Sequence, residues 1–272
     1  MGSEAASGPK QVPEHERMPH VIAASGLSLS FGGVKAVDDM SIQLRRGEFL
    51  GLIGPNGAGK TTLFNMLAGT YKADAGCILI NGVDASRGRA SARIGMGLGR
   101  TFQIPRPFPH MTVIENVLTG AQNQAAETIL ANFLRIGKVA AQERAAIDKA
   151  KGILNFLKLD HLMHEPARVL SGGQRKLLEL ARVLMADPSV ILLDEPAAGV
   201  NPALLGFIID RVRDLNARGT SILLIEHNMD MVARLCHRVV VMVGGRYLTE
   251  GSPQAVAANP AVIHAYLGVA AQ

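Results

Sequence analysis

Three short runs of this sequence bring together residue types suited to phosphate chemistry. Gly54-Pro55-Asn56-Gly57-Ala58-Gly59-Lys60-Thr61, with Thr62 next, matches G-x-x-x-x-G-K-[ST] in full. Glycines there let backbone N–H groups curl around a phosphate, and a following helix adds about half a positive charge. Lys60 would neutralise β and γ oxygens, and Thr61 would offer a hydroxyl to Mg²⁺. Val190-Ile191-Leu192-Leu193-Asp194-Glu195 is an aliphatic run ending in two carboxylates. Two acids at the end of a buried strand are costly to desolvate unless a cation sits there, and Mg²⁺·ATP on the glycine loop would supply one. Asp194 then reaches the metal, through water, and Glu195 polarises the attacking water. The competing readings are a ligand-free strand-to-helix turn for the first run and an acidic turn capping the next helix for the second.

The third run, Leu170-Ser171-Gly172-Gly173-Gln174, opens a helix whose Leu177, Leu178, Ala181 and Leu184 follow 3.6-residue spacing. A serine N-cap followed by two glycines makes a second anion-binding terminus. One γ-phosphate already cradled by the glycine loop hardly needs it, so its ligand stays open at this point.

Elements must hold these runs in place. Glu48–Gly54 is an apolar run ending in glycine and predicts a strand, with a helix from Lys60 to about Leu67 after the loop. Val190–Leu193 and Ser221–Ile225 predict two further buried strands, so strands alternate with helices in a mostly parallel α/β sheet. From Val21 short alternating segments flank Gly32-Gly33 and predict an antiparallel edge. Val113 to about Leu159 is rich in Ala, Leu, Gln, Glu and Lys and predicts a helical insert. Residues 1–19 are polar and aperiodic, with no apolar stretch of the kind a signal peptide needs, and are expected to form a disordered leader.

Composition sets the outer limits. With 272 residues, 48% of them hydrophobic, the chain can build a large core. The aliphatic runs, such as Val239–Val243, fall far short of the roughly 20 residues that cross a bilayer as a helix. Cys77 and Cys236 are isolated in sequence, which argues against a disulfide framework or a zinc site and for a reducing compartment. The net charge of +5 is matched by five arginines between Arg87 and Arg106 (Arg87, Arg89, Arg93, Arg100 and Arg106), a stretch without acids. No Trp and three Tyr offer little base stacking, so nucleic acid is not expected as a partner.

LSGGQ about twenty residues before the aliphatic-acidic strand, downstream of a P-loop, resembles the nucleotide-binding subunit of an ATP-binding cassette (ABC) transporter, over roughly residues 20–272. The resemblance implies an α/β P-loop (RecA-like) core, mostly parallel, with an antiparallel β subdomain and an inserted helical subdomain. Its bounds would be about 20–112 and 186–245 for the β and P-loop core, 113–185 for the helical signature part and 246–272 for a helical tail. It also implies ATP and Mg²⁺ as ligands, and two sites at a head-to-tail dimer interface. There Ser171, Gly172, Gly173 and Gln174 of one subunit would clasp ATP held by the P-loop of another, which gives the second anion site its ligand. Phe31, before Gly32-Gly33, resembles the aromatic that stacks on adenine; as a bare residue it reads equally well as strand core. Gln103, in Arg100-Thr101-Phe102-Gln103, resembles the Q-loop glutamine that touches Mg²⁺ and the attacking water. His227, after the strand Ser221–Ile225 and Glu226, resembles the switch histidine that contacts the γ-phosphate and orients the catalytic glutamate, here Glu195. Asn201 stands where many members carry the D-loop aspartate, so a charge is missing while hydrogen-bonding capacity remains.

Within the family, Arg100-Thr101-Phe102-Gln103, Met111-Thr112-Val113-Ile114-Glu115-Asn116-Val117, Glu195-Pro196-Ala197-Ala198-Gly199 and the ending Asn259–Gly268 look like the branched-chain amino-acid importer ATPases. That branch implies a partner ATPase, either a copy or a paralogue, integral membrane permease subunits, and a periplasmic or extracellular solute-binding protein acting indirectly. It places the chain in the cytoplasm, peripheral to the inner face of the membrane. Importers of amides, urea or aromatic acids stay open, as does a soluble ABC ATPase acting as an assembly or mechanical factor. Phe108, Pro109 and Met111 are expected to line a permease groove, with the neighbouring arginines facing lipid headgroups or acidic permease loops. A solvated basic face is the plainer alternative.

Overall fold

The computed structural model describes residues 19–101, 107–122 and 136–268; the expected leader up to residue 18, Gln103 and Arg106 lie outside them. The alternating segments around Gly32-Gly33 form β1 (His20–Phe31) and β2 (Val34–Arg45), paired antiparallel. Both glycines of the turn have positive φ, 53° and 85°. With β4 (Ala75–Ile80) and β5 (Val83–Asp84) they make a four-stranded sheet in the order β2-β1-β4-β5. This is the expected antiparallel part.

The second sheet has six strands in the order β10-β9-β3-β8-β7-β6. They are β3 (Phe49–Ile53), β6 (Leu98–Arg100), β7 (Val190–Asp194), β8 (Ser221–Ile225), β9 (Arg238–Val243) and β10 (Arg246–Gly251). The five from β9 to β6 in that order run parallel, and every residue of β3, β7 and β8 is buried. Burial on both faces explains why these strands read as unbroken aliphatic runs. Alternate side chains enter two different cores. Ile222 and Leu224 pack in one with Leu177, Leu178, Ala181 and Ile208, whereas Leu223 and Ile225 pack in the other with Leu63, Phe64, Val21 and Met40. The antiparallel sheet and α1 (Lys60–Leu67) therefore cover one face.

Covering the other face are helices of the insert and of the crossovers. The insert holds α3 (Val113–Leu118), α4 (Ile136–Phe156) and α5 (Gly172–Leu184); α2 (Ala90–Gly95) precedes it. After β7 comes α6 (Pro202–Ala217), and after β8 comes α7 (Met229–Leu235). The tail was expected to be helical from residue 246, and here the structure differs. Residues 246–251 are β10, hydrogen-bonded antiparallel to β9, and only then follow α8 (Pro253–Ala257) and α9 (Pro260–Gly268). Gly244-Gly245, with φ of 55° and 82°, forms a two-residue turn of the kind that joins hairpin strands.

The arginine stretch also differs from expectation. Arg93 is 2% exposed and donates to the carbonyls of Met66, Leu67 and Ala85, clamping α2 onto the open carbonyl end of α1. Arg100 turns inward to Asp194 and Asn65. Of the arginines among the described residues of the stretch, only Arg87 and Arg89 are exposed. Formal charge located the arginines, and buried carbonyls and a buried carboxylate took two of them.

Candidate active site

The carboxyl ends of β3, β8, β7 and β6 lie side by side, the edge where parallel α/β sheets bind ligands. The glycine loop leaves β3, Asp194 and Glu195 end β7, and Glu226 and His227 follow β8. Asp194 is in register with Ile225, which brings the acidic pair and the histidine to one level.

Two loop positions admit only glycine. Gly54 has φ 152°, and a Cβ there would come within 2.0 Å of the Met242 carbonyl oxygen. Gly59 has φ 93°, and its Cβ would meet the Ala36 carbonyl oxygen at 2.2 Å. Asn56 and Gly57 are exposed at the tip, while Ala58 is buried and its carbonyl accepts from the Gly245 N–H. Gly59 is the N-cap of α1 and no side chain caps that helix, which leaves its first-turn N–H groups for an anion. Lys60 is buried, and its Nζ donates to the Gly54 carbonyl at 2.7 Å and the Pro55 carbonyl at 2.9 Å. Burial pulls the ammonium below the usual lysine range, against the charges of Glu195 and Asp194. Thr61 is exposed on the first turn and Thr62 half-buried beside it.

Asp194 is buried, which pushes its carboxyl up, while Arg100, with Nη2 at 3.5 Å from Oδ2, pulls it down. Glu195 adopts a left-handed φ of 46°, unusual for a residue with a side chain, and its N–H donates to the Ile225 carbonyl. That turn aims its Oε1 at His227 Nε2, 3.0 Å away. A carboxylate held by an imidazole at this distance can accept a proton from water and keep its orientation while doing so. The hydroxyl of Thr61 and the carboxylate of Asp194 are hard oxygen donors of the kind Mg²⁺ takes. Among the described residues no three His, Cys, Asp or Glu side chains form a metal cage.

The signature run stands on a separate element. Ser171 is the N-cap of α5, with its Oγ accepting from the Gln174 N–H and the Gln174 side chain accepting from the Ser171 N–H, a reciprocal capping box. Ser171 and Gly172 are exposed. A Cβ on Gly173 would meet Leu204 Cδ2 at 2.0 Å, so this terminus packs closely against α6. Among the described residues, no hydrogen bond joins Ser171–Gln174 to the glycine loop of the same chain. Asn201 caps α6 through the Leu204 N–H, which gives the D-loop position a local job for its side-chain oxygen.

Phe31 ends β1 and is 48% exposed, so it is not strand core; the ring of Tyr71 meets it edge-on with centroids 5.4 Å apart. Tyr71, Lys176 and Glu226 were not singled out from sequence, and Arg100 was read there only as one of the basic stretch. Lys176 donates from Nζ to the carbonyls of Glu195 and Pro196, and the buried Glu226 carboxylate accepts from the N–H groups of Ala197, His227 and Asn228. No spacing announces Lys176 or Glu226, because their partners are backbone atoms.

Beside the site a groove of about 300 Å³ is lined by Ile94, Leu98, Arg100, Thr119, Glu179 and Arg182, among others. Phe108, Pro109 and Met111 are not among its lining residues. Phe108 borders it through Arg182, whose guanidinium lies 5.3 Å from the ring centroid. Asn116, fully buried, fixes the 108–112 segment by accepting from the Phe108 N–H and donating to the carbonyls of Phe108, Met111 and Thr112.

Comparison with known proteins identifies relatives of this chain. The sequence profile of the ABC transporter family matches residues 37–198, and that of the branched-chain amino acid ATP-binding cassette transporters matches residues 248–272. The probable branched-chain amino acid transport ATP-binding protein LivG of Archaeoglobus fulgidus is 39% identical over 91% of this chain and 95% of its own length. The high-affinity LivG protein of Escherichia coli K12 is 38% identical over 92% and 98%. Among solved structures, the ADP conformation of MJ1267, an ATP-binding cassette of an ABC transporter, superposes with a TM-score of 0.80 at 38% identity, covering 92% of this chain and all of that one.

Proposed function

The chain belongs to the ABC transporter family, and from that premise we propose that it is the ATPase subunit of an importer for branched-chain amino acids or closely related amides. As a family member it binds ATP and hydrolyses it to ADP and phosphate to drive transport. The importer branch is supported by the LivG relatives and by the tail profile over residues 248–272. A permease-free assembly factor has no comparable support.

In this reading Gly54–Thr62 cradle the phosphates and Phe31 stacks on adenine. Thr61 and Asp194 hold Mg²⁺ together with Gln103, a residue outside the described part of the chain. The metal supplies charge neutralisation at the β and γ oxygens. Glu195 takes the proton of the attacking water, and His227 holds Glu195 and meets the γ-phosphate. Ser171, Gly172, Gly173 and Gln174 contact the nucleotide of a partner subunit, either a copy or a paralogue. The groove beside Arg100 and Arg182 receives a membrane permease, with the exposed Arg87 and Arg89 toward lipid or acidic loops at the inner membrane face. A solute-binding protein then delivers the solute from outside. No helix among the described residues is long and apolar enough to cross a membrane.

The observation that carries the catalytic assignment is the 3.0 Å contact between Glu195 Oε1 and His227 Nε2 at the end of adjacent parallel strands. Glu195→Gln should lower ATP turnover about 10²–10⁴-fold, the usual worth of a general base, while ATP binding persists and a nucleotide-bound dimer accumulates. Wild-type turnover in this variant would sink the assignment.

A further inference from the structure

The residue that would act as base sits in a backbone conformation that something must hold. Glu195 is left-handed, and residues with side chains persist there only where their surroundings over-determine the turn. The turn is gripped from two sides. From α5, Lys176 Nζ donates to the carbonyls of Glu195, at 3.1 Å, and Pro196, at 3.3 Å. From the end of β8, Glu226 Oε1 accepts the Ala197 N–H at 2.7 Å. The other oxygen of the same carboxylate accepts the N–H groups of His227 at 3.0 Å and Asn228 at 3.1 Å. Glu226, 3% exposed, thus fastens both halves of the Glu195–His227 contact to one rigid group.

Lys176 adds a longer reach. It lies five residues beyond Ser171 on the same helix, roughly 7.5 Å along the axis at 1.5 Å per residue. Any displacement of that helix against the sheet pulls on the carbonyl of Glu195 itself. Its ammonium is partly desolvated, with the charges of Glu226 and Glu195 opposing the loss, so the contact is made in a medium where it is strong.

We propose that Lys176 and Glu226 are positioning residues for ATP hydrolysis: together they fix the turn that aims Glu195 at His227, and Lys176 ties that turn to the signature helix. Engagement of Ser171 at one nucleotide then sets the geometry of the base at the other. The proposal rests on the reading of Glu195 as general base and of Ser171 as a contact in trans.

The test uses the full-length chain and measures kcat, KM for Mg·ATP, ATP affinity by equilibrium titration, and the thermal midpoint. Lys176→Met keeps the alkyl stem and removes the donors. It should lower kcat about ten- to hundred-fold, the scale of an ångström-level misplacement, with KM and ATP affinity within about two-fold of wild type. Lys176→Arg, which restores donors, should recover most of the rate. Lys176→Met added to Glu195→Gln should cost nothing further, because it acts through a base already removed. Unchanged kcat in Lys176→Met, no rescue by Arg, or a further fall in the double variant would each overturn the positioning role. If Lys176→Met melts early, Glu226→Gln applies the same test from the β8 side, with the same kcat-only loss expected and an unchanged kcat counting against the proposal. Normal turnover in Glu195→Gln alone is a different result: it would remove the base reading, and the proposal with it.

Discussion

Replacing Arg100 with Met should cost about 3–4 kcal/mol of stability, and removing the charge of Asp194 as well should return most of it. Arg100 and Asp194 are 11% and 3% exposed in their side chains, so the small values typical of surface ion pairs do not apply. Burial is the leading influence on both groups, lowering the guanidinium and raising the carboxyl, against their mutual attraction. Desolvation therefore outweighs the pairing for each partner. Losing one partner of such a pair strands the other, at about 3–5 kcal/mol, and the 3.5 Å separation puts this pair at the lower end. The Asn65 side-chain oxygen, which accepts from Arg100 at 2.7 Å, loses a donor worth about 1 kcal/mol.

Urea denaturation followed by circular dichroism would read this as a midpoint about 1 M lower, taking a slope of about 3 kcal/mol per molar. In Arg100→Met/Asp194→Asn no charge is stranded, and the midpoint should lie much closer to wild type. A loss under about 1 kcal/mol in the single variant would refute the buried-pair argument, as would a double variant showing the sum of both single losses. The expected outcome would mean that the pair contributes little net stability. Its value would then lie in holding one guanidinium against the groove, the P-loop helix through Asn65 and the end of β7 at once.

Gly59→Ala places a Cβ 2.2 Å from a backbone carbonyl at a φ of 93°, so it should lose ATP binding in an equilibrium titration and melt below wild type; normal affinity would show the loop can relax. Asn116→Ala strands the Phe108 N–H and leaves a small void, costing about 2–3 kcal/mol in urea melts, whereas Asn116→Asp sets a carboxylate against three carbonyls and should cost more at pH 8 than at pH 5. Equal losses at both pH values would count against that hydrogen-bond assignment. Burial pushes the Cys236 thiol from 9.0 up to about 12, so a thiol reagent at pH 8 should titrate Cys77 alone in the native chain and both after unfolding. The fold favours the neutral thiol, so this contribution is whole below pH 9 and fades as pH rises toward 12.

The site was legible wherever function is compressed into neighbouring residues. A P-loop needs its glycines, Lys60 and Thr61 in one turn, because a phosphate is small and a single strand-to-helix junction surrounds it. Strands buried on both faces are apolar over nearly their whole length, which is why Ser221–Ile225 could be bounded from sequence alone. The β10 hairpin was missed although Gly244-Gly245 announces it, since Arg246–Gly251 is half exposed and has no aliphatic run to mark it.

Buried residues that bind carbonyls, amides or a carboxylate stayed hidden for a different reason. Arg93 and Arg100 counted as surface charge until the structure showed carbonyls and a carboxylate facing them. Lys176 and Glu226 bind atoms that every residue possesses, so no residue type elsewhere in the sequence marks their partners. Their importance follows from where the carbonyl of Glu195 and the amides of Ala197 and His227 are brought together, by strands that meet only in the folded sheet. Sequence motifs therefore expose the groups that would touch nucleotide and conceal the groups that aim them, and a variant series confined to the motifs would leave the aiming of Glu195 untested.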